Sequence, residues 1–263
     1  MSGKIIILGA GAAPGVPSLS MGWGYCNPAN KKNERHRTST YVELKGVKIL
    51  IDTSPDLREQ LIQNDIKSLD GVLYTHSHAD HVHGIDDLRE INRLSRQSLN
   101  IYGGKKTLKT IKQRFDYLIA KPRQVKNVVR MPSLIPNTVK GNHEFFIKGL
   151  KITPIKLLQH CEECLGYVFN DGEYVHIADF KQIAESAFKM IKRRPKLVVM
   201  PLTTPYGQIQ HAGLDEILGY ISRINPERVV LNHLASESDY EELSQTTPDN
   251  IDIAYDGMEI EIK

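Results

Sequence analysis

The chain has 263 residues, 40% of them hydrophobic and 25% charged, with a formal net charge of +3 at pH 7. This is the composition of a globular protein with a core of useful size, as one large domain or two small ones, and it excludes a disordered or low-complexity chain. So small a charge gives no argument for nucleic acid by itself, and three cysteines make no disulfide framework, so a reducing cytoplasm is the expected compartment.

The chain opens on Lys4-Ile5-Ile6-Ile7-Leu8-Gly9, a strand-like run too short for a signal peptide or a membrane span. No later stretch is long enough to span either, so no membrane is expected. Residues 9–33 read as a glycine- and proline-rich loop. Gly9-Ala10-Gly11 after a strand begins like a dinucleotide fingerprint, but Pro14 stands where the third glycine belongs and no helix follows. Lys31, Lys32, Arg35, His36 and Arg37 form a basic cluster. With Arg58 and Arg89 they are either phosphate-binding candidates, since arginine forks match phosphate oxygens, or a solvated loop.

Short β-branched runs predict strands at 5–8, 41–44, 48–51, 72–74, 99–102, 145–147, 151–155, 174–177, 197–200, 229–231, 251–254 and 258–262. Apolar spacing predicts helices at 55–64, 86–96, 105–117, 183–191 and 214–224. Asp52, Thr53 and Ser54 are candidate caps for the first helix. Many strands with fewer helices suggest two packed sheets with helices outside; a doubly wound parallel sheet would need more regular alternation.

Directly after the strand at 72–74 comes His76-Ser77-His78-Ala79-Asp80-His81. In an extended stretch side chains alternate by two, so His76 and His78 point the same way and can meet one cation. Asp80 and His81 follow where the chain can turn into a helix and face a second. Imidazole and carboxylate suit zinc, manganese or iron. His160, Asp179 and His233 each follow another apolar run, where ligands are held on loops by a rigid sheet. His211 precedes the helix at 214–224.

The His-x-His-x-Asp-His run resembles the signature of the metallo-β-lactamase superfamily, and the order His160, Asp179, His233 is similar to that family's later ligands. The opening Leu8-Gly9-Ala10-Gly11 with Gly15-Val16-Pro17, the run Leu50-Ile51-Asp52-Thr53 and the ending Ala254 to Ile260 resemble the PhnP-type cyclic phosphodiesterases. The resemblance covers nearly the whole chain. It implies an α+β fold, an αββα sandwich over residues 1–263 as one domain, with the site at one edge of the sheets. It implies two divalent metal ions, zinc or manganese, with iron also admitted. His76, His78 and His160 would hold one, Asp80, His81 and His233 the other, and Asp179 would bridge them. Asp52 would orient a ligand histidine, or else simply cap its helix. Asp80 and His211 form the implied catalytic set, His211 binding phosphate and protonating the leaving oxygen from a pKa near neutrality.

One departure concerns a structural zinc. PhnP-type proteins often carry an early cysteine cluster completed by a later histidine, whereas this chain has Cys26 alone there and Ser236 three residues after His233. Cys161 and Cys164 make half a zinc site, which Cys26 could complete, or are buried inert thiols. The implied activity is hydrolysis of small cyclic or nucleotide-like phosphodiesters. Rival readings are a tRNA 3′-processing endoribonuclease of tRNase Z type, a thioester or lactam hydrolase, and a non-catalytic metal-binding module. The expected partner is a small phosphodiester, RNA being less favoured, and a homodimer is compatible with the sequence.

Overall fold

The structure, a computed structural model, describes residues 3–119, 124–125, 128–129 and 133–262. In chain order the strands are β1 (Gly3–Gly9), β2 (Ser39–Leu44), β3 (Val47–Ile51), β4 (Gly71–Leu73), β5 (Leu99–Gly103), β6 (Gln124–Val125), β7 (Val128–Val129), β8 (Leu134–Thr138), β9 (Phe145–Ile147), β10 (Leu150–Leu158), β11 (Cys164–Phe169), β12 (Tyr174–His176), β13 (Gln182–Ile183), β14 (Leu197–Pro201), β15 (Arg228–Asn232), β16 (Ile251–Ile253) and β17 (Met258–Ile262). The helices are α1 (Leu57–Gln63), α2 (Ala79–Val82), α3 (Leu88–Ser95), α4 (Lys105–Arg114), α5 (Asp116–Ile119), α6 (Glu185–Phe188), α7 (Leu214–Ile224) and α8 (Tyr240–Thr246).

A seven-stranded sheet runs β17-β1-β2-β3-β4-β5-β8, and an eight-stranded sheet runs β13-β10-β11-β12-β14-β15-β16 with β9 on β10. The strands alternate two apolar faces, which is why they read as near-continuous hydrophobic runs. Ile5, Ile7, Ile49, Ile51 and Leu73 point into the space between the sheets and meet Ile152, Tyr167, Phe169, Leu197 and Val199. Ile6, Leu8, Leu50, Val72 and Ile101 point outward, under Leu57, Leu61, Leu88, Ile91, Leu108 and Ile111 of the helices. On the far side Val168, Val198, Met200 and Val229 lie under Ala187, Ile217, Ile221 and Leu243. Each such side chain contributes about 1.5–3 kcal/mol when fully buried. These layers are the expected αββα sandwich, and the doubly wound single sheet is excluded.

Several element boundaries differ from expectation. The helix expected at 183–191 shrinks to α6, because Ile183 pairs with Leu157 in β13. The one at 86–96 starts as a 3-10 turn over His83–Asp87 before α3, and the one at 105–117 divides at Phe115. Strands β8, β11 and β13 and helix α8 were not anticipated. Helix α1 begins at Leu57 with Asp56 before it; Ser54 Oγ accepts the Asp56 N–H at 3.2 Å, while Asp52 does not cap and turns toward the site.

Candidate metal centre

Strand direction explains the convergence. β3 and β4 are parallel, as are β12, β14 and β15, so their C-terminal ends lie together. Each residue group of interest begins just past such an end: Asp52 after β3, Thr75 and His76 after β4, Asp179 after β12, Thr203 after β14 and His233 after β15. β10 is antiparallel to β11, which is antiparallel to β12, so the end of β10 delivers His160 to the same edge. Two contacts seal the sheets together there: the Leu165 N–H donates to Thr75 O at 3.0 Å and the Tyr167 hydroxyl to Tyr74 O at 2.6 Å.

The histidine run turns within six residues. His78 is extended at φ −67 and ψ 156, and α2 starts at Ala79, which turns Asp80 and His81 away from His78. Gly84 lets this turn tuck against the loop after β3. Its N–H donates to Thr53 O at 3.0 Å, and a Cβ there would lie 1.9 Å from Ser54 O. Thr53 N–H in turn donates to His81 O at 2.8 Å.

The ligand atoms of His76, His78 and His160 lie within 4.8 Å of one another, and so do those of Asp80, His81, Asp179 and His233. Asp179 Oδ2 faces both sets, at 3.8 Å from His76 Nε2, 3.5 Å from His160 Nε2, and 3.4 Å from both His81 Nε2 and His233 Nε2. All seven residues singled out in the sequence are therefore brought together. His211 joins them at the rim, its ring centroid 4.7 Å from that of His160 and 5.9 Å from that of His233.

The donor set fits divalent metal. His76 Nε2, His81 Nε2 and Asp179 Oδ1 are buried without a hydrogen-bond partner. Buried polar atoms are normally satisfied, so orphans gathered in one cluster call for an electron-poor group among them. Nitrogen and carboxylate donors in this number suit zinc, manganese or iron. The electrostatics agree. Burial would raise Asp179, but the facing His233, His81 and His76 hold it well below the usual carboxylate range. Burial likewise opposes the charge on His81, yet Asp80 and Asp52 hold it well above the ordinary histidine value. Burial pushes His76 well below that value and lowers His78 too. Ligand histidines must give up such protons to a cation, so binding would be pH-dependent.

Two threonines escaped the sequence reading. Asp52 accepts the Thr75 N–H at 2.8 Å, the Thr75 hydroxyl at 2.7 Å and the His81 Nδ1–H at 2.7 Å. Thr75 Oγ1 also lies 3.0 Å from His76 Nδ1. One carboxylate thus orients a histidine in each set, and the capping alternative for Asp52 is set aside. On the other sheet Thr203 Oγ1 lies 3.0 Å from His211 Nδ1 and 3.2 Å from His233 Nδ1. The available signal was positional: each threonine directly follows a buried apolar run, as the ligands do. Burial pushes His211 down to about 4, not near neutrality as expected from its sequence position.

Four members of the basic set are engaged by partners within the protein. Arg35 is 2% exposed and donates to Asn33 Oδ1 at 3.0 Å and Ala235 O at 3.3 Å, with Cys26 Sγ at 3.8 Å. Arg37 is held by Asp56 at 2.6 Å, His36 by Asp256 at 3.0 Å, and Arg89 by Asp86 at 3.4 Å. Arg35 and Asn33 tie the early loop to Asp239, the region where a structural zinc is common in PhnP-type proteins. The Cys161 thiol donates to Glu163 O and the Cys164 thiol to Asp179 O, both at 3.2 Å. Among the described residues no cysteine belongs to a metal-competent group. The mouth of the site is an open cavity of about 710 Å³ lined by Ser77, His78, Asp80, His83, Arg114 and Phe115, with Ala13 and Ala79 completing it.

Two face-to-face sheets under helices, with histidines and aspartates gathered at their common edge, define the αββα class that typically holds divalent metals there. The chain belongs to the beta-lactamase superfamily: the family described as Beta-lactamase superfamily domain matches residues 47–234. Its relatives include PhnP-type proteins. A diphosphatase from the PhnP family superposes with a TM-score of 0.87 at 26% identity, covering 99% of this chain and 97% of that one. The short form of human tRNase Z superposes with a TM-score of 0.72 at 16% identity over 99% of each chain, a likeness of fold alone. The octanoyltransferase of Porphyromonas gingivalis is 32% identical over 259 residues, 97% of this chain but 51% of that protein. The chain thus spans about half the length of that relative.

Proposed function

We propose that the chain is a metal-dependent hydrolase, a phosphodiesterase acting on small cyclic or nucleotide-like phosphodiesters. The observation that supports this is Asp179 Oδ2, set 3.4–3.8 Å from histidine nitrogens of both sets, where one carboxylate could serve two cations. His76, His78 and His160 would hold one ion, and Asp80, His81 and His233 the other. Bound there, two divalent ions supply Lewis acidity toward water and phosphoryl oxygens. The protein's own residues do the rest. Asp80 lines the cavity and orients the attacking water. His211, beside His160, meets the substrate phosphate. Asp52, through His81 and Thr75, keeps ligand nitrogens aimed inward. The 26% identity with a PhnP-family diphosphatase over almost the full length of both chains supports phosphorus chemistry over acyl chemistry.

The test is turnover by the zinc- or manganese-loaded protein of bis(p-nitrophenyl) phosphate, 2′,3′-cyclic nucleotides, dinucleoside diphosphates, precursor tRNA and an octanoyl thioester. The reading expects phosphodiester cleavage that vanishes in Asp179→Ala. Cleavage of precursor tRNA without turnover of the small esters would transfer the chain to the endoribonuclease reading. Thioester turnover alone would refute phosphodiester chemistry, and no turnover by a fully loaded protein would leave the metal-binding module.

A further inference from the structure

We infer that Thr203 is a positioning residue whose hydroxyl, shared between His233 and His211, holds His211 as a neutral donor with its hydrogen on Nε2. This rests on the phosphodiesterase reading for its consequence, although the hydrogen-bond argument stands without it. His233 Nε2 lies 3.4 Å from both Asp80 Oδ2 and Asp179 Oδ2, so with a cation held among these donors this nitrogen would turn its lone pair toward the cluster. The hydrogen of a neutral His233 ring is then on Nδ1, and a histidine that ligates through one nitrogen usually donates from the other. The acceptor available to it is Thr203 Oγ1, 3.2 Å away. A hydroxyl has one hydrogen and can accept as well as donate. Having accepted from His233, Thr203 donates its own hydrogen to His211 Nδ1 at 3.0 Å. An imidazole that accepts at Nδ1 carries its hydrogen on Nε2 when neutral.

The threonine is well fixed for this. It is 8% exposed, and its backbone carbonyl accepts the Ala235 N–H at 3.0 Å and the Ser238 hydroxyl at 3.2 Å. These donors come from the loop that follows His233, so Thr203 moves with the histidine it serves. The arrangement repeats that of the other sheet, where Thr75 Oγ1 gives its hydrogen to Asp52 and accepts from His76 Nδ1. There the chain of hydrogens ends on a carboxylate, whereas here it ends on an imidazole that borders the substrate.

The chemical consequence separates two roles for His211. A proton delivered to a leaving oxygen requires an imidazolium with hydrogens on both nitrogens. Such a ring would turn Nδ1–H onto Thr203 Oγ1, which would then accept from both imidazoles and lose His211 as the acceptor for its own hydrogen. The network therefore favours His211 as a fixed Nε2–H donor to an anionic phosphoryl oxygen, a stabiliser of developing charge. On this inference His211 stabilises charge and does not protonate the leaving group.

The experiment uses the full chain, uniformly ¹⁵N-labelled and zinc-loaded, with long-range ¹H–¹⁵N correlation spectra that report the tautomer of each imidazole. Wild type is expected to show His211 with its hydrogen on Nε2 and His233 with its hydrogen on Nδ1. Thr203→Val should release His211 to a mixture of tautomers. At saturating zinc it should lower kcat on bis(p-nitrophenyl) phosphate ~10–100-fold, the range for losing an orienting partner, with little change in KM. Thr203→Ser, which keeps the hydroxyl, should restore both tautomer and kcat. His211→Ala should lose similar factors on a nitrophenyl ester and on a poor-leaving-group alkyl ester. A wild-type spectrum with His211 protonated on Nδ1 would overturn the inference even if the valine variant failed to fold. So would a folded Thr203→Val with unchanged tautomer and rate. If wild type shows the expected tautomers but no phosphodiester turnover, the functional reading fails while the hydrogen-bond assignment holds.

Discussion

Replacing Asp52 by asparagine changes one atom's hydrogen-bonding sense and almost nothing else. Asp52 is 2% exposed and sits at φ 60°, a left-handed conformation that asparagine also tolerates. Its carboxylate accepts three donors at 2.7–2.8 Å: Thr75 N–H, Thr75 O–H and His81 Nδ1–H. In Asp52→Asn the oxygen keeps the Thr75 N–H, but an NH₂ group then confronts both other donors. The least costly relief is for His81 to move its hydrogen to Nε2 and accept at Nδ1. Nε2 lies 3.3 Å from Asp80 Oδ2 and 3.4 Å from Asp179 Oδ2, so once it carries the hydrogen its lone pair is lost to the cluster. Loss of such an orienting partner typically weakens metal binding ~10–100-fold, or about 1.4–2.8 kcal/mol. The weakening should fall chiefly on the set with Asp80, His81 and His233; His76 still has Thr75 Oγ1. Calorimetric titration of metal-free protein with zinc resolves the two affinities. A variant that binds both ions with unchanged affinity, while its unfolding midpoint drops, would show that Asp52 only braces the fold.

Three further outcomes are expected. Asp179→Ala should lose affinity for both ions together, because one oxygen faces both sets; loss at one set alone, seen by metal analysis after dialysis, would deny the bridging role. His176 is buried, with its Nδ1 2.9 Å from the Tyr174 hydroxyl, and burial lowers it to about 3. Below about pH 6.5 the unfolded chain therefore takes up a proton that the folded chain refuses, so stability should fall from pH 6.5 toward 3. His176→Gln should flatten that fall in urea unfolding curves, and parallel wild-type and variant curves would refute the assignment. Arg35→Met should destabilise by about 2–3 kcal/mol, the worth of a charged group's buried hydrogen bonds, without altering metal content. A midpoint unchanged in urea would show that the contacts to Asn33 and Ala235 add nothing.

The site was more legible than the fold around it. His76 to His81 could be read because ligand chemistry demands rare residue types at short spacing. His160, Asp179 and His233 could be read because each follows an apolar strand. Thr75 and Thr203 could not, since a threonine after a strand is unremarkable until its hydroxyl is seen between two imidazoles. Strand β11 was missed because Cys164-Leu165-Gly166-Tyr167-Val168-Phe169 is buried on both faces and broken by a glycine, so it has no alternation to detect. Gly166 belongs there for a tertiary reason: a Cβ would lie 2.7 Å from His176 O on the neighbouring strand. The helix at 183–191 failed for the opposite reason. Its helical spacing was real, but pairing of Ile183 with Leu157 and the short course of α6 overrode it. The basic cluster stayed ambiguous because sequence shows charge and not partners: Asp56 and Asp256 lie far along the chain from Arg37 and His36, although Asp86 is only three residues from Arg89.

Left-handed backbone contributes at this same edge. Asp52, Gln159 and His233 are each the first residue beyond a strand, β3, β10 and β15, and have φ of 60°, 62° and 57°. A left-handed residue costs roughly 1–3 kcal/mol when it is not glycine, and persists only where the surroundings determine it. Each of the three breaks the strand abruptly and leaves the next donor at the edge. At β3 and β15 the strained residue is itself a site residue; at β10 it comes immediately before His160. Asp52 is fixed by its three hydrogen bonds, and His233 by Thr203 on one ring nitrogen with the aspartates facing the other. Glycine would relieve the backbone at either position, but it would remove the side chain that the turn exists to place. The left-handed residues after β2, β9 and β11 (Lys45, Lys148 and Asn170) turn hairpins, whereas those after β3, β10 and β15 each deliver a part of one cluster, so at this edge the left-handed turn places donors instead of reversing the chain.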